Sequence, residues 1–240
     1  MSVLALRLAG PLQSWGTSSR YARRDAGREP SKSGLVGLIA AAQGRRRSDP
    51  VEDLVALRLG VRSDQPGRLV RDYQTARHPS WSNAALSTRY YLGDAVFLAV
   101  VEAERSLLEG IDEAIRSPRF PLYLGRRSCP PSGPVSLGVR DTMLREALTE
   151  EPWLASEWWQ RKTRTSSVRL LASMDSSEPG DSAESRASVR DVPVSFDQER
   201  REYTWRTVTR CEIDVINEFA PAGAQPNRFG DLDPWSAVEA

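Results

Sequence analysis

One short stretch limits the choice of fold more than any other part of the chain. Residues 95–101 (AVFLAVV) are the most apolar run in the sequence. A continuous apolar run of this length, bounded by turn residues, is typical of a strand that is buried on both faces. We therefore expect residues 95–101 to form a central strand of a sheet.

The elements around this strand follow a recognisable order. We predict a strand at 3–8, a helix at 35–42, a strand at 59–62, the central strand at 95–101, a helix at 106–116 and a strand at 135–139. The order β-α-β-β-α-β is the split-βαβ or ferredoxin-like plan, so the expected fold class is α+β. The RNA-recognition motif shares this plan, but its RNP1 sequence is absent here.

The chain divides into three expected regions. Residues 1–140 form the ferredoxin-like domain, and residues 141–220 form a smaller, mainly β C-terminal region. Within the latter, a Ser-, Asp- and Glu-rich stretch at about 175–190 predicts a flexible loop, and we expect the tail at 221–240 to be disordered.

A polar excursion interrupts the ferredoxin-like plan at about 71–91. It is too polar for a core, and we interpret it as a projecting hairpin, or thumb. Its candidate contact residues are Tyr73, Gln74, Thr75, His78 and Arg89.

Composition excludes several classes of protein. No apolar run approaches the roughly 20 residues of a membrane span, and MSVLALRLAG at the N-terminus resembles a first strand more than a signal peptide. Two cysteines, Cys129 and Cys211, form neither a disulfide framework nor a metal cluster, and His78 is the one histidine. We expect a cytoplasmic protein without a cofactor or metal.

The formal net charge of +1 conceals an asymmetry between the two halves of the chain. Residues 1–150 contain 22 Lys and Arg against 16 Asp and Glu, a balance of +6, whereas residues 151–240 have a balance of −5. A positive N-terminal half favours a polyanionic ligand, and an acidic C-terminal half favours a protein neighbour or solvent.

The stretch 123–131 (YLGRRSCPP) predicts a rigid turn that carries two guanidinium groups. Gly125 permits a positive φ or a close approach to a ligand, and arginine matches phosphate oxygens with forked donors. The candidate contacts are Tyr123, Gly125, Arg126, Arg127 and Ser128. A surface turn with solvated arginines is an equally good interpretation of these residue types.

Two further stretches combine polar and cationic residues. In the loop at 12–30, arginines alternate with aromatic residues, as in single-strand nucleic-acid contacts, although a mobile charged loop fits too. Residues 31–34 (SKSG) open the helix at 35–42, where free N–H groups and a cation would attract an anion. RNA contact or complementation of the helix C-terminus explains the arginines that follow. The candidates are Gln13, Trp15, Arg23, Arg24, Lys32, Ser33, Arg45 and Arg46.

Five of these motifs, in order, resemble one family. GPLQSWG, PSKSGLVGLIAAA, RDYQT, RYYL followed by DA, and YLGRRSCPP are similar to the CasD family. These are the Cas-five type RAMP subunits of Cascade, the type I-E CRISPR surveillance complex. The resemblance covers residues 3–139.

The resemblance implies a noncatalytic RNA-binding subunit. Such a subunit holds the repeat-derived 5′ handle of crRNA and caps the backbone of the complex in antiviral defence. Its partners are the backbone subunit CasC and the large subunit CasA, and it meets target DNA only through the complex. No membrane contact is implied.

Two rival functions remain open at the level of sequence. Related Cas-five proteins cut the crRNA precursor, so the chain could be a metal-independent endoribonuclease. Such an enzyme needs a base for the 2′-OH, and Tyr73, His78, Lys32 and Lys162 are candidates by type. A lysine base needs burial to lower its pKa, and of the two lysines only Lys162, among arginines and tryptophans, could be buried in this way. The other rival is a plain interaction module without an RNA site.

Overall fold

The structure is a computed structural model that describes residues 1–16, 23–24, 26–77, 85–176, 185–197 and 200–226, with only the backbone of 23–24. Within these ranges the strands are β1 (Ser2–Ala9), β2 (Leu12–Gln13), β3 (Arg23–Arg24), β4 (Arg58–Gln65), β5 (Arg68–Ala76), β6 (Ala85–Gly93), β7 (Val96–Ala103), β8 (Ser136–Arg140), β9 (Ser167–Asp175), β10 (Ser185–Ser195) and β11 (Glu202–Ile216). The helices are α1 (Lys32–Ala42), α2 (Glu52–Val55), α3 (Arg105–Arg116), α4 (Leu144–Glu150) and α5 (Glu157–Thr163).

Four strands in the order β4-β7-β1-β8 form the centre of the main sheet. Each neighbouring pair is antiparallel. α1 lies between β1 and β4 in the chain, and α3 lies between β7 and β8. The β-α-β-β-α-β order and the α+β fold class predicted from the sequence are therefore confirmed.

The central strand β7 is buried on both faces, as its apolar run predicts. Seven of its eight residues are buried. Phe97 and Ala99 belong to a core with residues of α1 and α3, whereas Leu98 and Val100 belong to a second core that includes residues of α4. Because successive side chains of a strand point to opposite faces, β7 contributes to both layers.

The C-terminal strands extend the same sheet beyond β4. β9 pairs with β4, β11 pairs with β9, and β10 forms the edge, so the sheet has seven strands. The β-rich region predicted at 141–220 therefore shares its sheet with the N-terminal half. Residues 185–190, which the prediction placed in a flexible loop, lie in β10 instead, and β9 continues to Asp175. Residues 177–184 lie outside the described residues.

A buried ion pair on β4 attaches the segment between α4 and α5. The Arg62 guanidinium forms two hydrogen bonds with Asp64, at 2.7 and 2.9 Å, and both side chains are fully buried. Arg62 also donates to the carbonyls of Leu148, Glu151 and Pro152. These bonds satisfy charges that would otherwise be costly to bury.

The predicted thumb is a two-stranded hairpin, β5 and β6, which we call the thumb hairpin. Its strands pair from Arg68 and Gly93 to Ala76 and Ala85. β2 and β3 also pair with β6. The tip at 78–84, which includes His78, lies outside the described residues, as does the tail from 227; 221–226 contain no helix or strand.

Among the described helices, none has the length and apolar composition needed to cross a membrane.

The part of the thumb hairpin nearer its tip contributes little to the cores, whereas Tyr91 and Leu92 at its base are buried. Thr75, Ala76, Arg77, Ala85 and Leu86 are all exposed. Replacing residues 74–87 with a short Gly-Ser linker should therefore lower the thermal midpoint by no more than about 4 °C. For a protein of this length, that shift corresponds to a loss of about 1 kcal/mol in the free energy of unfolding. Thermal unfolding followed by circular dichroism measures the shift.

A core substitution supplies the contrast for this measurement. Phe97 is fully buried, and Phe97→Ala should remove about 3–5 kcal/mol of stability. A linker variant that loses as much as Phe97→Ala would show that the hairpin belongs to the core.

Candidate nucleic-acid interface

A cleft of about 720 Å³ lies between α1, the segment that follows α3, and the hairpin formed by β10 and β11. We call it the arginine cleft, because all of its charged lining residues are arginines. These are Arg45, Arg46, Arg47, Arg127 and Arg201. Its aromatic lining residues are Trp15, Phe120, Tyr123, Phe196 and Tyr203. Cations beside flat rings, with no carboxylate among the described lining residues, suit a single-stranded nucleic acid.

One face of α1 forms the floor of the cleft. Ser33, Gly34, Gly37, Ala40 and Ala41 recur at helical spacing, and all have small side chains. α1 begins with Ser31 as its N-cap, and the Ser31 hydroxyl accepts a hydrogen bond from Gly34 N at 3.2 Å. A Cβ added at Gly37 would meet only Phe196, at 3.8 Å, so the floor is open at this position.

The three arginines after α1 differ in what they bind. Arg45 forms two hydrogen bonds with the Asp53 carboxylate, at 2.6 and 2.5 Å, and these bonds hold the pKa of Asp53 below its ordinary value. Arg46 and Arg47 are exposed, and neither side chain has a partner within the described part of the chain. Two guanidinium groups at this end of the cleft are therefore available for an anion.

The Gly125 turn forms the opposite wall, and its backbone requires glycine. Gly125 has φ of +83°, and an added Cβ would lie 1.9 Å from the carbonyl oxygen of Ser14. Ser14 N donates to Leu124 O at 3.0 Å, and Leu124 N donates to Cys129 O at 2.7 Å. The positive φ and the close approach therefore serve contact with the protein's own backbone.

The turn separates its two arginines. The Arg126 guanidinium lies 4.7 Å from the centre of the Tyr91 ring and donates to Tyr90 O at 3.2 Å, at the base of the thumb hairpin. Arg127 is exposed and lines the arginine cleft. Ser128 is also exposed, whereas burial raises the pKa of the neighbouring Cys129 thiol.

Gln13 and Trp15 have structural roles, which corrects the prediction that their side chains are free to contact a ligand. Both are fully buried. Gln13 Nε2 donates to Leu8 O and Ala95 O, and Gln13 Oε1 accepts from the Trp15 indole at 2.9 Å. An added Cβ at Gly34 would lie 2.7 Å from the Trp15 ring, so the indole packs directly against the start of α1.

Lys32 is also committed inside the protein. Its backbone N–H donates to Asp191 at 2.7 Å, and its Nζ donates to Asp175 at 3.0 Å and to Leu57 O at 2.8 Å. The anion at the start of α1 is thus the protein's own carboxylate, which corrects the expected open anion site. Lys162, the one lysine for which the sequence allowed burial, is exposed.

Arg206 completes this group of charges. It donates to both Asp191 and Asp175. Burial alone would lower the pKa of Arg206, but the two carboxylates outweigh it and the pKa is raised. We call Lys32, Asp175, Asp191 and Arg206 the ionic latch, since they connect α1 with β9, β10 and β11.

Four more of the predicted residues are described by the structure and do not line the arginine cleft. Tyr73 is 63% exposed on β5, Thr75 is exposed, and Gln74 donates to Asp72 at 2.5 Å. Arg89 is half-buried, and its Nε has no hydrogen-bond partner among the described residues. The backbone of Arg23 and Arg24 pairs with β6, and His78 is outside the described residues.

The cleft therefore brings together only part of the predicted set: Ser33, Arg45, Arg46, Tyr123, Gly125 and Arg127, with Trp15 at its edge. Sequence reasoning missed Phe120, Phe196, Arg201 and Tyr203 as site residues. The stretch 200–205 (RREYTW) does place arginines close to aromatic residues, as the loop at 12–30 does. It could have been recognised on that basis.

Comparisons with known proteins agree on a family. A family model described as CRISPR-associated protein (Cas5) matches residues 3–209. The CRISPR system Cascade subunit CasD of Escherichia coli (strain K12) is 36% identical over 160 residues, which cover 58% of this chain and 71% of that protein.

Two solved structures are also similar. A crystal structure of a Cas protein has 39% sequence identity and a TM-score of 0.67, covering 92% of this chain and 98% of the other. A chain of a CRISPR RNA-guided surveillance complex has 29% identity and a TM-score of 0.74, covering 99% and 100%.

The ionic latch predicts a loss of stability when Lys32 is removed. Lys32→Met keeps most of the apolar stem but leaves Asp175 with one cation fewer and Leu57 O without this donor. Because Arg206 still neutralises Asp175, the cost is that of lost hydrogen bonds to a charged group, and the free energy of unfolding should fall by about 1–3 kcal/mol in urea titrations.

Arg47→Met is the matched control, because Arg47 is exposed and has no partner in the described structure. Its effect should stay within about 0.5 kcal/mol. Equal stabilities of the two variants would contradict the structural role of Lys32.

Proposed function

The chain belongs to the Cas5 family of CRISPR-associated proteins, and from this premise we propose that it is a noncatalytic, crRNA-binding subunit of a type I-E surveillance complex. It holds the repeat-derived 5′ handle of the crRNA and caps the backbone of the complex, as part of antiviral defence. The RNA lies in the arginine cleft.

The composition of the arginine cleft carries this proposal. Arg46, Arg47 and Arg127 are exposed within it, and no described lining residue bears a negative charge. A single-stranded RNA presents one phosphate per nucleotide, and each phosphate that an arginine neutralises releases counterions and strengthens binding. The rings that line the cleft supply flat surfaces on which unpaired bases stack.

The thumb hairpin suits contact with neighbouring subunits. Leu69, Tyr73 and Leu86 are 50%, 63% and 52% exposed, and exposed apolar side chains on a projecting element favour a protein partner. In this proposal the surface contacts the backbone subunit CasC, and the large subunit CasA contacts other faces of the protein. Target DNA meets the protein only through the assembled complex.

The cleft lacks a group suited to act as a base near neutral pH. Its titratable lining residues within the described chain are arginines and tyrosines, neither of which accepts a proton readily at pH 7. A lysine base requires burial away from opposite charges. Lys32 is buried but paired with Asp175, and Lys162 is exposed. These placements support a binding role and not RNA cleavage.

A single added carboxylate on the floor of the cleft tests the proposal. Gly37→Glu introduces a negative charge among the arginines, and its Cβ has room because it would meet only Phe196, at 3.8 Å. Affinity for a labelled single-stranded RNA with the handle sequence should fall at least tenfold, or about 1.4 kcal/mol. Fluorescence anisotropy at fixed salt measures it.

Gly110→Glu is the matched control for Gly37→Glu. Gly110 lies in α3, is exposed, and has no atom within 4 Å of an added Cβ. The two variants make the same change in net charge and the same gain in helix propensity. If both bind RNA as the wild type does, the arginine cleft is not the RNA site.

Absence of cleavage is the second expectation. The purified protein, incubated with cognate repeat RNA in EDTA, should leave the RNA intact, because none of the described residues that line the cleft is suited to deprotonate a 2′-OH. Denaturing gel electrophoresis of end-labelled RNA checks this. Site-specific cleavage that disappears in His78→Ala or Tyr73→Phe would instead favour the metal-independent endoribonuclease.

A further inference from the structure

We infer that the hairpin formed by β10 and β11 is part of the RNA site. Tyr203 is the stacking platform for one unpaired base, and Arg201 binds an adjacent phosphate. This inference rests on the proposed function and adds a second part of the chain to the RNA-binding site. The N-terminal half supplies the floor and one wall of the arginine cleft, and β10 and β11 supply the other wall.

Tyr203 and Arg201 form a planar, cationic unit on the cleft wall. The Arg201 guanidinium is exposed and lies 5.8 Å from the centre of the Tyr203 ring, near the outer limit of cation–π attraction. Tyr203 is half-buried, so part of its ring stays accessible. A nucleotide combines a flat base with a charged phosphate, and this pair matches both features.

The wall opposite completes a site for an unpaired nucleotide. Phe120 and Tyr123 line the cleft from the segment after α3, and Phe196, which follows β10, lines it from the same side as Tyr203. Phe120 is 41% exposed. Rings on both sides of a cleft can receive bases that have no Watson–Crick partner, whereas a duplex would cover the faces of its bases by stacking.

Two bulges set the direction of the cleft wall that β10 and β11 form. The pairing of β10 with β11 shifts between Arg190 and Val192, and again between Pro193 and Ser195, which pair with residues around Tyr203. A bulge leaves one residue unpaired, increases the local twist and re-aims nearby side chains. The extra residue of the first bulge is Asp191, a member of the ionic latch.

The latch holds the wall at a defined position over the floor. Arg206 follows Tyr203 by three residues on β11 and donates to Asp191 and Asp175, and the Lys32 backbone and side chain bind the same two carboxylates. Because Lys32 opens α1, the helix that lines the floor is connected through these two carboxylates to the strand that carries Tyr203.

Stacking makes a distinct prediction for variants of Tyr203. Tyr203→Ala should weaken binding of single-stranded handle RNA by about 5- to 150-fold, the range observed for loss of one stacked base. Tyr203→Phe retains the ring and should bind within about threefold of wild type. Trp205→Ala should match wild type, since Trp205 is 62% exposed on the same strand but does not line the cleft.

The salt dependence separates the two residues. Arg201→Ala should reduce the magnitude of the slope of log K against log salt by about 0.7, the value for one phosphate on a single strand. Arg200→Ala is the control, because Arg200 is 86% exposed and lies outside the cleft. Tyr203→Ala should leave this slope unchanged. A fluorescent base analogue that reports stacking should change its fluorescence on binding to the wild type and to Tyr203→Phe, but not on binding to Tyr203→Ala.

The outcomes distinguish this inference from the proposed function. If Tyr203→Ala and Arg201→Ala, each with a wild-type thermal midpoint, bind RNA as wild type does while Gly37→Glu still weakens binding, the C-terminal wall is not part of the site. If the wild-type protein binds no RNA, both ideas fall. Should Tyr203→Ala fail to fold, the slope of Arg201→Ala decides, because this side chain is exposed.

Discussion

The contact between the start of α1 and the bulge in β10 connects the two halves of the structure. The bulge leaves Asp191 unpaired between Arg190 and Val192, and its carboxylate binds Lys32 N and Arg206. Asp175, at the end of β9, binds the Lys32 side chain and the other edge of Arg206. Two positive and two negative side chains from four elements thus satisfy one another. The floor and one wall of the arginine cleft are fixed by the same charges.

Buried charges also explain why the C-terminal region has one position on the sheet. An exposed ion pair is worth about 0–1 kcal/mol, whereas breaking a buried pair costs several times more, because one charge remains without a partner. Arg62 and Asp64 are both fully buried and bind the segment between α4 and α5. Any other placement of this region would leave these charges without their hydrogen-bond partners. Apolar contacts alone would not exclude such a placement.

The core of the fold could be predicted from the sequence because hydrophobic periodicity acts over a few residues. The apolar run of β7 and the Ser31 cap of α1 are local patterns. Gln13 was assigned to a loop that contacts nucleic acid, and Lys32 to an anion site at the start of a helix. Their partners are remote: Gln13 donates to a carbonyl 82 residues away, and Lys32 binds a carboxylate 143 residues away. Only the folded sheet brings such groups together, so a local sequence pattern cannot reveal these contacts.

The charge balance of the N-terminal half favoured a polyanion, yet that sum does not describe the site. Several of its arginines are neutralised within the protein: Arg45 by Asp53, Arg58 by Glu102 and Arg62 by Asp64. The cleft is positive because Arg46, Arg47 and Arg127 meet no carboxylate there. Arg201 joins them from the half of the chain whose net charge is −5. Since Coulomb interactions weaken with distance and are screened in salt, local pairing decides which arginines attract RNA.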